Sequence, residues 1–384
     1  MIGITVGTRP EIIRMASVVY ELKRRKIPFS LIHTGQHYDY NMSKIFMEEL
    51  KMPKPDYHLN YHYKESTMQI YSIMKFLESI FAKEKYKFVL VSGDTNSGLA
   101  TALTSIKNFI PLGHAEAGPR CYYYKTPEET NRKLTDHVST LLFAPSPYSK
   151  KLLLREGINE DKVFVTGNTV IDTCLMFANN NKAKIFKSVK PEKPYVLITL
   201  HRAETVDDRR RLENFVKFLE LLSKNYDYNI VFTIHPRTTK RLKQFGLYER
   251  LKKIRKMTIL DPLGYFDFLV FLKNAHLLIT DSGGALKEGS ALKVPVIVVH
   301  ENWGDQEGYG EFWFLSGSDF KNILKLIDYI EKNNVRNKIK KLQCPFGDGK
   351  AAKRIVDITS RFLEGKIKIK ETSFEDMLKL YRTL

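Results

Sequence analysis

The chain alternates between two spacings of hydrophobic residues. Apolar runs of about four to seven residues are separated by amphipathic stretches of about 12 to 18 residues, in which apolar positions recur with helical spacing. This alternation is typical of strand and helix units repeated around parallel sheets. The predicted strands are Ile2 to Val6, Phe29 to His33, Phe88 to Val91, Ile110 to Glu116, Leu141 to Pro145, Val163 to Thr166, Tyr195 to Leu200, Ile230 to Ile234, Met257 to Leu260, Leu277 to Thr280 and Pro295 to Val299.

The alternation is interrupted after Asn168 by a polar stretch that includes Asn179-Asn180-Asn181 and ends at Pro194. We therefore predict an N-terminal domain over residues 1–170, a linker over 171–194 and a C-terminal domain over 195–360. A helix over 361–384 could pack back on the first domain. The predicted fold class is α/β, with two doubly wound, Rossmann-like parallel sheets facing a cleft, and a length of 384 residues fits two such domains.

The charge balance bears on what the chain could bind. Lys and Arg total 62 against 43 Asp and Glu, a formal net charge of +19 that favours phosphorylated ligands, anionic surfaces or nucleic acid. The basic residues are not interleaved with aromatic residues as in a single-strand binder, so nucleic acid is not expected as a partner. No apolar run approaches the roughly 20 residues that cross a bilayer, and the first residues do not resemble a signal peptide. We therefore expect no membrane association and a cytoplasmic location.

Polar residues follow several predicted strands, and ligands of open parallel sheets bind beyond the carboxyl ends of the strands. Arg9 lies in the turn Gly7-Thr8-Arg9-Pro10-Glu11 at the start of a predicted helix, where a cation and backbone N–H groups can hold a phosphate. Taken alone, the turn could equally be a simple connection with a surface arginine. It matches neither the dinucleotide-binding nor the Walker pattern, so no nicotinamide cofactor is expected.

Three acidic residues of the first half, Asp94, Glu116 and Glu128, lie just after strands or at a helix start. Each one alone could have a structural role such as helix capping. Together at one edge of a sheet, they suggest a site with perturbed proton affinities. His114 and Glu116 match half of a zinc deaminase pattern, but its cysteine half is missing, so no metal is expected.

The second half places His201 and His235 at the ends of two predicted strands. The turn Ser282-Gly283-Gly284 exposes backbone N–H groups at a helix start, which suits a diphosphate. Glu288 lies about one and a half turns into that helix, where its carboxylate can accept hydrogen bonds from ribose hydroxyls. These residues suggest a nucleotide diphosphate site.

Short motifs in this order and spacing resemble the non-hydrolysing UDP-N-acetylglucosamine 2-epimerases, whose architecture is like that of the two-domain GT-B glycosyltransferases. The resemblance covers nearly the whole chain. Its motifs are Gly7 to Glu11 with Arg14, Gly93-Asp94-Thr95, His114 to Gly118 with Arg120, Pro127-Glu128-Glu129 with Asn131-Arg132, Gly167 to Asp172, His201 to Glu204, His235-Pro236, Asp261-Pro262 and Thr280 to Gly284.

The resemblance implies an isomerase that interconverts UDP-N-acetylglucosamine (UDP-GlcNAc) and UDP-N-acetylmannosamine (UDP-ManNAc) without a cofactor. The family eliminates UDP to give 2-acetamidoglucal and then adds UDP back. The resemblance also implies a homodimer and a role in surface polysaccharide synthesis. By motif, it implies catalytic roles for Asp94, Glu116, Glu128 and His201, diphosphate contacts for Arg9, His201, Ser282 and Gly283, a ribose contact for Glu288, and further UDP-sugar contacts for Arg14, Arg120, Arg132, His235 and Gly284.

Two departures from the family concern the expected substrate. Arg14 stands where the family usually has lysine, which keeps the charge but changes the donor geometry. After the strand that ends at Val299, the family pattern Arg-x-x-Thr-Glu-Arg-Pro-Glu is replaced by residues 300–308, which read HENWGDQEG. The identity of the UDP-sugar therefore stays open.

Two further departures lie in loops of the first half. The loop from Arg120 to Pro127 is shorter than in bacterial members and contains Tyr122-Tyr123-Tyr124, which could reshape the sugar pocket. Gln36-His37 matches the segment where bacterial members bind an activating substrate molecule, whereas Asp39 departs from it.

Several alternative functions remain open at this point. Within the class, the chain could act on a modified UDP-N-acetylhexosamine or hydrolyse the substrate to N-acetylmannosamine and UDP. A GT-B glycosyltransferase is a further alternative, against which the three acids and the turn Gly7 to Glu11 argue. Outside the class, it could be a catalytically silent nucleotide-sugar-binding protein or a nucleic-acid-binding protein. UDP binding without turnover would favour the former, and nucleic-acid binding with a steep salt dependence would favour the latter.

Overall fold

The computed structural model describes residues 1–36, 40–60, 65–123, 126–179, 183–192, 194–301, 303–317 and 319–370, and for 40–44 the backbone alone. Several residues singled out in the sequence lie outside the described residues, as does the predicted helix beyond residue 370. They are His37, Asp39, Tyr124, Asn180, Asn181 and Asn302.

The first half of the chain forms a seven-stranded parallel sheet with the order β3-β2-β1-β4-β5-β6-β7. The central strand β1 pairs with β2 and β4, so that Ile4 lies opposite both Leu31 and Leu90. Helices cover the sheet, which explains why its central strands read as unbroken apolar runs. The strands are β1 Ile2–Val6, β2 Phe29–His33, β3 Tyr57–His58, β4 Phe88–Ser92, β5 Leu112–Ala115, β6 Leu141–Ala144 and β7 Val163–Val165.

The second half forms a six-stranded parallel sheet with the order β10-β9-β8-β11-β12-β13. Its central strands β8 and β11 are paired through Leu197 and Leu278, which are both fully buried. The strands are β8 Tyr195–Thr199, β9 Asn229–Thr233, β10 Met257–Leu260, β11 Leu277–Thr280, β12 Val296–Val298 and β13 Trp313–Leu315.

Seventeen α-helices and one 3-10 helix, Glu160–Lys162, connect these strands within the described residues. Within the same residues, none of the helices is both long and apolar enough to cross a membrane. The helices are α1 Arg9–Arg24, α2 Tyr40–Glu49, α3 Ser66–Phe81, α4 Asn96–Lys107, α5 Pro127–Val138, α6 Pro147–Arg155, α7 Thr169–Phe177, α8 Lys184–Val189, α9 Ala203–Val206, α10 Arg209–Asn225, α11 Pro236–Gln244, α12 Tyr248–Lys252, α13 Tyr265–Asn274, α14 Gly283–Ala291, α15 Phe320–Lys332, α16 Val335–Lys340 and α17 Ala351–Leu363.

The predicted fold class is confirmed, and every predicted strand is present within one or two residues of its expected bounds. The two strands that were not predicted, β3 and β13, lie at sheet edges and contain only two and three residues. Runs this short carry no recognisable alternation of polar and apolar positions.

Two helices join the halves of the molecule. In the segment predicted as a linker, α7 is an ordered helix whose Thr173 hydroxyl donates to the Ile13 carbonyl of α1. The helix that returns to the N-terminal domain is α17, where Phe362 packs against Phe88. It begins at Ala351 and ends before Gly365, which has a left-handed φ of 71°.

Candidate functional site

A cleft of 1480 Å³ lies between the two sheets, and it collects residues that follow the strands of both. Most of the predicted site residues line this cleft. They are Arg9, Arg14, Asp94, Glu116, Glu128, Arg132, His201, His235, Ser282, Gly283, Gly284 and Glu288.

Arg120 is the predicted site residue that does not line the cleft. Its side chain is fully buried and forms ion pairs with Asp136 at 2.8 Å and with Glu156 at 2.7 Å. Asp136 also binds His114 Nδ1 at 2.7 Å, so Arg120 belongs to a buried network that braces the end of β5. The structure thus places the charged group of Arg120 inside the N-terminal domain and not among the residues that line the cleft, where the sequence predicted a contact with the UDP-sugar.

The turn that carries Arg9 is organised by Glu11. The buried Glu11 carboxylate accepts hydrogen bonds from the backbone N–H groups of Gly7 at 2.9 Å and Thr8 at 2.8 Å, and Thr8 caps α1 in return. Arg9 then projects into the cleft with its guanidinium 5.5 Å from the centre of the Phe46 ring. Burial lowers the pKa of Arg9, which indicates a partly desolvated cation suited to an anionic ligand.

Glu116 lies deep in the cleft and is held by three side chains. Its Oε2 lies 2.5 Å from Arg14 Nε, and its Oε1 lies 2.8 Å from Asn168 Nδ2 and 3.3 Å from Lys287 Nζ. The backbone of Glu116 has a φ of 66°, an uncommon value for a residue with a side chain, which these contacts help to maintain. Burial would raise the pKa of Glu116, but the charges of Arg14 and Lys287 outweigh it and lower the pKa to about 2. Glu116 is therefore a carboxylate at neutral pH.

Asp94 and Glu128 supply two more acids to the same wall of the cleft. Asp94 forms an ion pair with Arg132, and Asn131 donates to the Asp94 carbonyl at 3.0 Å. Glu128 is exposed to the cleft, whereas its neighbour Glu129 is buried. The Glu129 carboxylate accepts the backbone N–H groups of Cys121 at 3.0 Å and Tyr122 at 3.2 Å, and so fixes the loop in front of the acids.

Two histidines of the C-terminal domain lie side by side, with 5.5 Å between the ring centres of His201 and His235. The buried Asp281 carboxylate lies 3.2 Å from His201 Nδ1 and accepts the His201 backbone N–H at 2.9 Å, which orients this ring. His235 Nδ1 accepts the Arg237 backbone N–H at 3.2 Å. Burial, with the nearby charges of His201 and Arg9, lowers the pKa of His235 to about 4. His235 is therefore neutral at pH 7, with Nε2 carrying the proton and able to donate.

The N-terminus of α14 faces the cleft at the turn from Ser282 to Gly284. Ser282 caps the helix, and the N–H groups of this first turn, together with the helix dipole, suit an anion. Further along α14, Glu288 is buried beside Tyr265, and burial raises its pKa to about 8. A carboxyl group of this kind can donate as well as accept hydrogen bonds near neutral pH.

The segment 300–308 departs from the family pattern, and five of its residues line the cleft: His300, Glu301, Trp303, Gly304 and Asp305. The Trp303 ring lies 5.1 Å from the guanidinium of Arg202 and 5.6 Å from the His300 ring. Asp305 pairs with Lys287 at 3.1 Å, and Glu307 bonds the Ser146 hydroxyl of the N-terminal domain. Residues of this segment thus contribute both to the lining of the cleft and to the contact between the domains.

The sequence reading missed Lys287, Asp281 and Glu129. Asp281 and Glu129 stand inside quoted motifs, but a residue that orients a neighbour has no signal of its own in a single sequence. Lys287 precedes Glu288 on α14, and helical spacing could have placed it near the cleft. Its contact with Glu116 depends on the approach of the two domains, which no local pattern encodes.

Comparison with protein families matches residues 20–360 to the UDP-N-acetylglucosamine 2-epimerase family. A UDP-N-acetylglucosamine 2-epimerase of Methanocaldococcus jannaschii is 43% identical over 368 residues, which cover 93% of this chain and 98% of the relative. A UDP-2,3-diacetamido-2,3-dideoxy-D-glucuronate 2-epimerase of Pseudomonas aeruginosa is 37% identical over 300 residues, covering 77% of this chain and 82% of the relative.

Solved structures give the same result for the fold. The crystal structure of the Methanocaldococcus jannaschii UDP-GlcNAc 2-epimerase in complex with UDP-GlcNAc and UDP matches with a TM-score of 0.84 and 42% identity. The match covers 94% of this chain and 99% of that one.

Proposed function

Since the chain belongs to the UDP-N-acetylglucosamine 2-epimerase family, we propose that it interconverts UDP-GlcNAc and UDP-ManNAc by elimination and re-addition of UDP. The chain is an isomerase of this family. The observation that carries the proposal is the placement of the Glu116 carboxylate, between Arg14 and Lys287, in a cleft that also contains the N-terminus of α14.

The reaction has to move a proton that no neighbouring carbonyl makes acidic. In the forward direction, a base takes the C2 proton, the electron pair of that bond forms the C1=C2 double bond, and the C1–O bond breaks with its electron pair leaving on UDP. The products of this step are 2-acetamidoglucal and UDP. Delivery of a proton to the opposite face of C2 and attack of UDP on C1 then give the epimer. The enzyme needs a base, an acid and a site that stabilises the departing diphosphate.

The three acids are proposed to serve the proton transfers. Glu116 is held as a carboxylate, the form that accepts a proton. Asp94 and Glu128 approach the same space from β4 and α5, which supports a second proton-transfer group on another side of the sugar. The Asp94 partner Arg132 is proposed to hold that acid in place.

The departing diphosphate is proposed to lie between the two domains. Arg9 contributes a partly desolvated cation from the N-terminal domain. His201, His235 and the turn Ser282-Gly283-Gly284 contribute donors from the C-terminal domain. Charge that develops on the leaving group would meet these donors already in place, which is the condition for electrostatic stabilisation of a transition state. Glu288, one and a half turns further, is proposed to bind the ribose.

Proton and phosphorus NMR of the protein with UDP-GlcNAc in deuterated water tests this function, without added NAD or metal. We expect UDP-ManNAc to appear with deuterium at C2. Free N-acetylmannosamine with UDP would instead identify a hydrolysing enzyme. UDP binding without any change in the sugar would contradict the proposal for UDP-GlcNAc.

A modified substrate is the second candidate, and two observations favour it. The segment 300–308, of which residues 300, 301 and 303–305 line the cleft, departs from the family pattern. A relative named for a diacetamido-glucuronate sugar is 37% identical. The same NMR assay with UDP-2,3-diacetamido-2,3-dideoxy-D-glucuronate in place of UDP-GlcNAc separates the two candidates by the ratio of kcat/KM.

We also propose a homodimer, on the family resemblance. Light scattering coupled to size exclusion would give about twice the monomer mass of 44.6 kDa. A monomer at micromolar concentration would contradict it. The cytoplasmic location stays a prediction.

A further inference from the structure

Lys287 is a buried cation shared by two carboxylates at the boundary between the domains. Its Nζ lies 3.3 Å from Glu116 Oε1 and 3.1 Å from Asp305 Oδ2, and the residue is only 7% exposed. Glu116 follows β5 in the N-terminal sheet, whereas Lys287 belongs to α14 in the C-terminal domain. Successive contacts therefore alternate in charge, from Arg14 to Glu116, from Glu116 to Lys287 and from Lys287 to Asp305.

The contacts of Glu116 divide between its two oxygen atoms. Oε2 faces Arg14, and Oε1 is shared by Asn168 and Lys287. Arg14 and Asn168 reach Glu116 from the N-terminal domain and from the start of α7. Lys287 is thus the contact that the C-terminal domain supplies. Separation of the domains would remove Lys287 from Glu116 and leave it in contact with Arg14 and Asn168.

A buried lysine is costly to maintain unless its charge is compensated, and here two carboxylates compensate it. In the proposed elimination, with Glu116 as the base, its carboxylate takes up the C2 proton and becomes neutral. Asp305 remains as a full negative partner for Lys287 at that moment, so no isolated cation is left in the cleft. A lysine paired with Glu116 alone would instead oppose the proton transfer, because neutralising the carboxylate would strand its charge.

We propose that Lys287 is a positioning residue that orients the Glu116 carboxylate for proton transfer when the two domains close, with Asp305 compensating its charge while Glu116 is protonated. This inference rests on the proposed epimerase function and on the role of Glu116 in it. It assigns to α14 a part in the proton transfer in addition to its proposed contacts with UDP.

The charged groups around Glu116 decide what removal of Lys287 does to its proton affinity. Arg14 faces Glu116 from α1, and Lys287 faces it from α14. Glu11, Asp94 and Arg132 act on Arg14, and Asp305 acts on Lys287. Removing the Lys287 charge takes away one of the two cations that lower the pKa of Glu116, so the pKa rises. The acidic limb of the kcat profile, where Glu116 becomes protonated, should then move to higher pH.

The experiment compares Lys287→Met with Lys287→Arg and with the control Lys332→Met, which removes an exposed lysine at the end of α15 outside the cleft. We expect Lys287→Met to lower kcat by about 10- to 100-fold, the range of a lost charge-assisted contact, with KM and UDP affinity changed less than about threefold. The acidic limb of the kcat profile of Lys287→Met should move to higher pH by at least about one pH unit. Lys287→Arg should recover part of kcat and restore the position of the limb, and Lys332→Met should match the parent protein.

Asp305→Asn gives a second variant in case Lys287→Met does not fold. It leaves Lys287 paired with Glu116 alone, so we expect a lower kcat with the acidic limb unmoved or shifted to lower pH. An unchanged kcat in both variants would overturn the inference. So would a loss of kcat that Lys287→Arg does not recover and that leaves the acidic limb in place, since this would identify a merely structural role. If the parent protein itself does not epimerise UDP-GlcNAc while binding UDP, the proposed function fails, and this inference fails with it.

Discussion

The carboxylate of Glu49 caps a helix of the opposite domain: its Oε2 accepts a hydrogen bond of 2.5 Å from the backbone N–H of Tyr265. Glu49 is the last residue of α2 in the N-terminal domain, and Tyr265 is the first residue of α13 in the C-terminal domain. Gly264 makes room for this contact, because a Cβ there would lie 2.1 Å from Glu49 Oε1. An acid at a helix N-terminus satisfies N–H groups and the helix dipole, so the contact favours the closed arrangement of the domains.

Removing the Glu49 carboxylate should weaken this arrangement. We expect Glu49→Ala to lower the free energy of unfolding by about 1 kcal/mol, the usual effect of losing a helix cap, in urea denaturation. Glu49→Gln keeps an acceptor and should lose less than half of that amount. Equal stability of all three proteins would mean that the contact does not contribute in solution.

Arg120 gives a prediction that separates stability from catalysis. Because Arg120 is buried between Asp136 and Glu156, Arg120→Met should lower the free energy of unfolding by about 3–5 kcal/mol, since it leaves the buried Asp136 and the half-buried Glu156 without their cation. The folded fraction should keep a KM within about threefold of the parent value, because Arg120 does not reach the cleft. Denaturation and steady-state kinetics on the same sample check both parts. A specific rise in KM without loss of stability would return Arg120 to the substrate site.

The fold was predictable from the sequence because its strands are long enough to show a pattern. Runs such as Ile2–Val6 and Leu277–Thr280 are buried on both faces, and this burial is what the apolar composition records. The edge strand Trp313–Leu315 pairs on one side only and is too short to show the same pattern. The start of α17 is held by a long-range hydrogen bond from the Ala352 N–H to Asp172, and no local pattern in the sequence records such a contact.

The site was predictable where a residue follows a strand, and less so where a contact crosses the cleft. Asp94 and Glu116 follow β4 and β5, so topology alone brings them to one edge. The destination of an arginine side chain is not set by topology. Arg120 and Arg132 both belong to motifs that resemble the family. The Arg120 side chain is buried against Asp136, whereas the Arg132 side chain pairs with Asp94 at the cleft.

Glu288 predicts a dependence of stability on pH. Burial raises its pKa in the folded protein to about 8, well above the ordinary value near 4.5. Between these values the folded state binds more protons than the unfolded state, so the contribution of Glu288 to stability is lost as the pH rises from about 4.5 to 8. Glu288→Gln cannot ionise and should gain stability relative to the parent protein as the pH rises from 5 to 8. Urea denaturation at several pH values measures the difference in the free energy of unfolding between the two proteins. The pH dependence that comes from other groups, such as Asp172, is the same in both and cancels in this difference. A constant difference would show that Glu288 is ionised when folded.

His201 should contribute to UDP binding through the orientation that Asp281 gives its ring. The Asp281 carboxylate is buried, and although burial raises its pKa, the contacts with His201 and the backbone N–H groups lower it below the ordinary value, so that Asp281 stays ionised. Nδ1 of the His201 ring is thereby fixed against Asp281, and in the protonated ring Nε2 can also donate to the diphosphate in the cleft. We expect His201→Ala to weaken UDP binding about tenfold, as measured by isothermal titration calorimetry, because one hydrogen bond to a charged group is lost.

His276→Ala is the matched control, because His276 binds Glu331 outside the cleft and its removal should leave UDP affinity unchanged. Equal UDP affinity of both variants would show that His201 does not contact the nucleotide, and the diphosphate would then have to be held by Arg9 and the N-terminus of α14 without it.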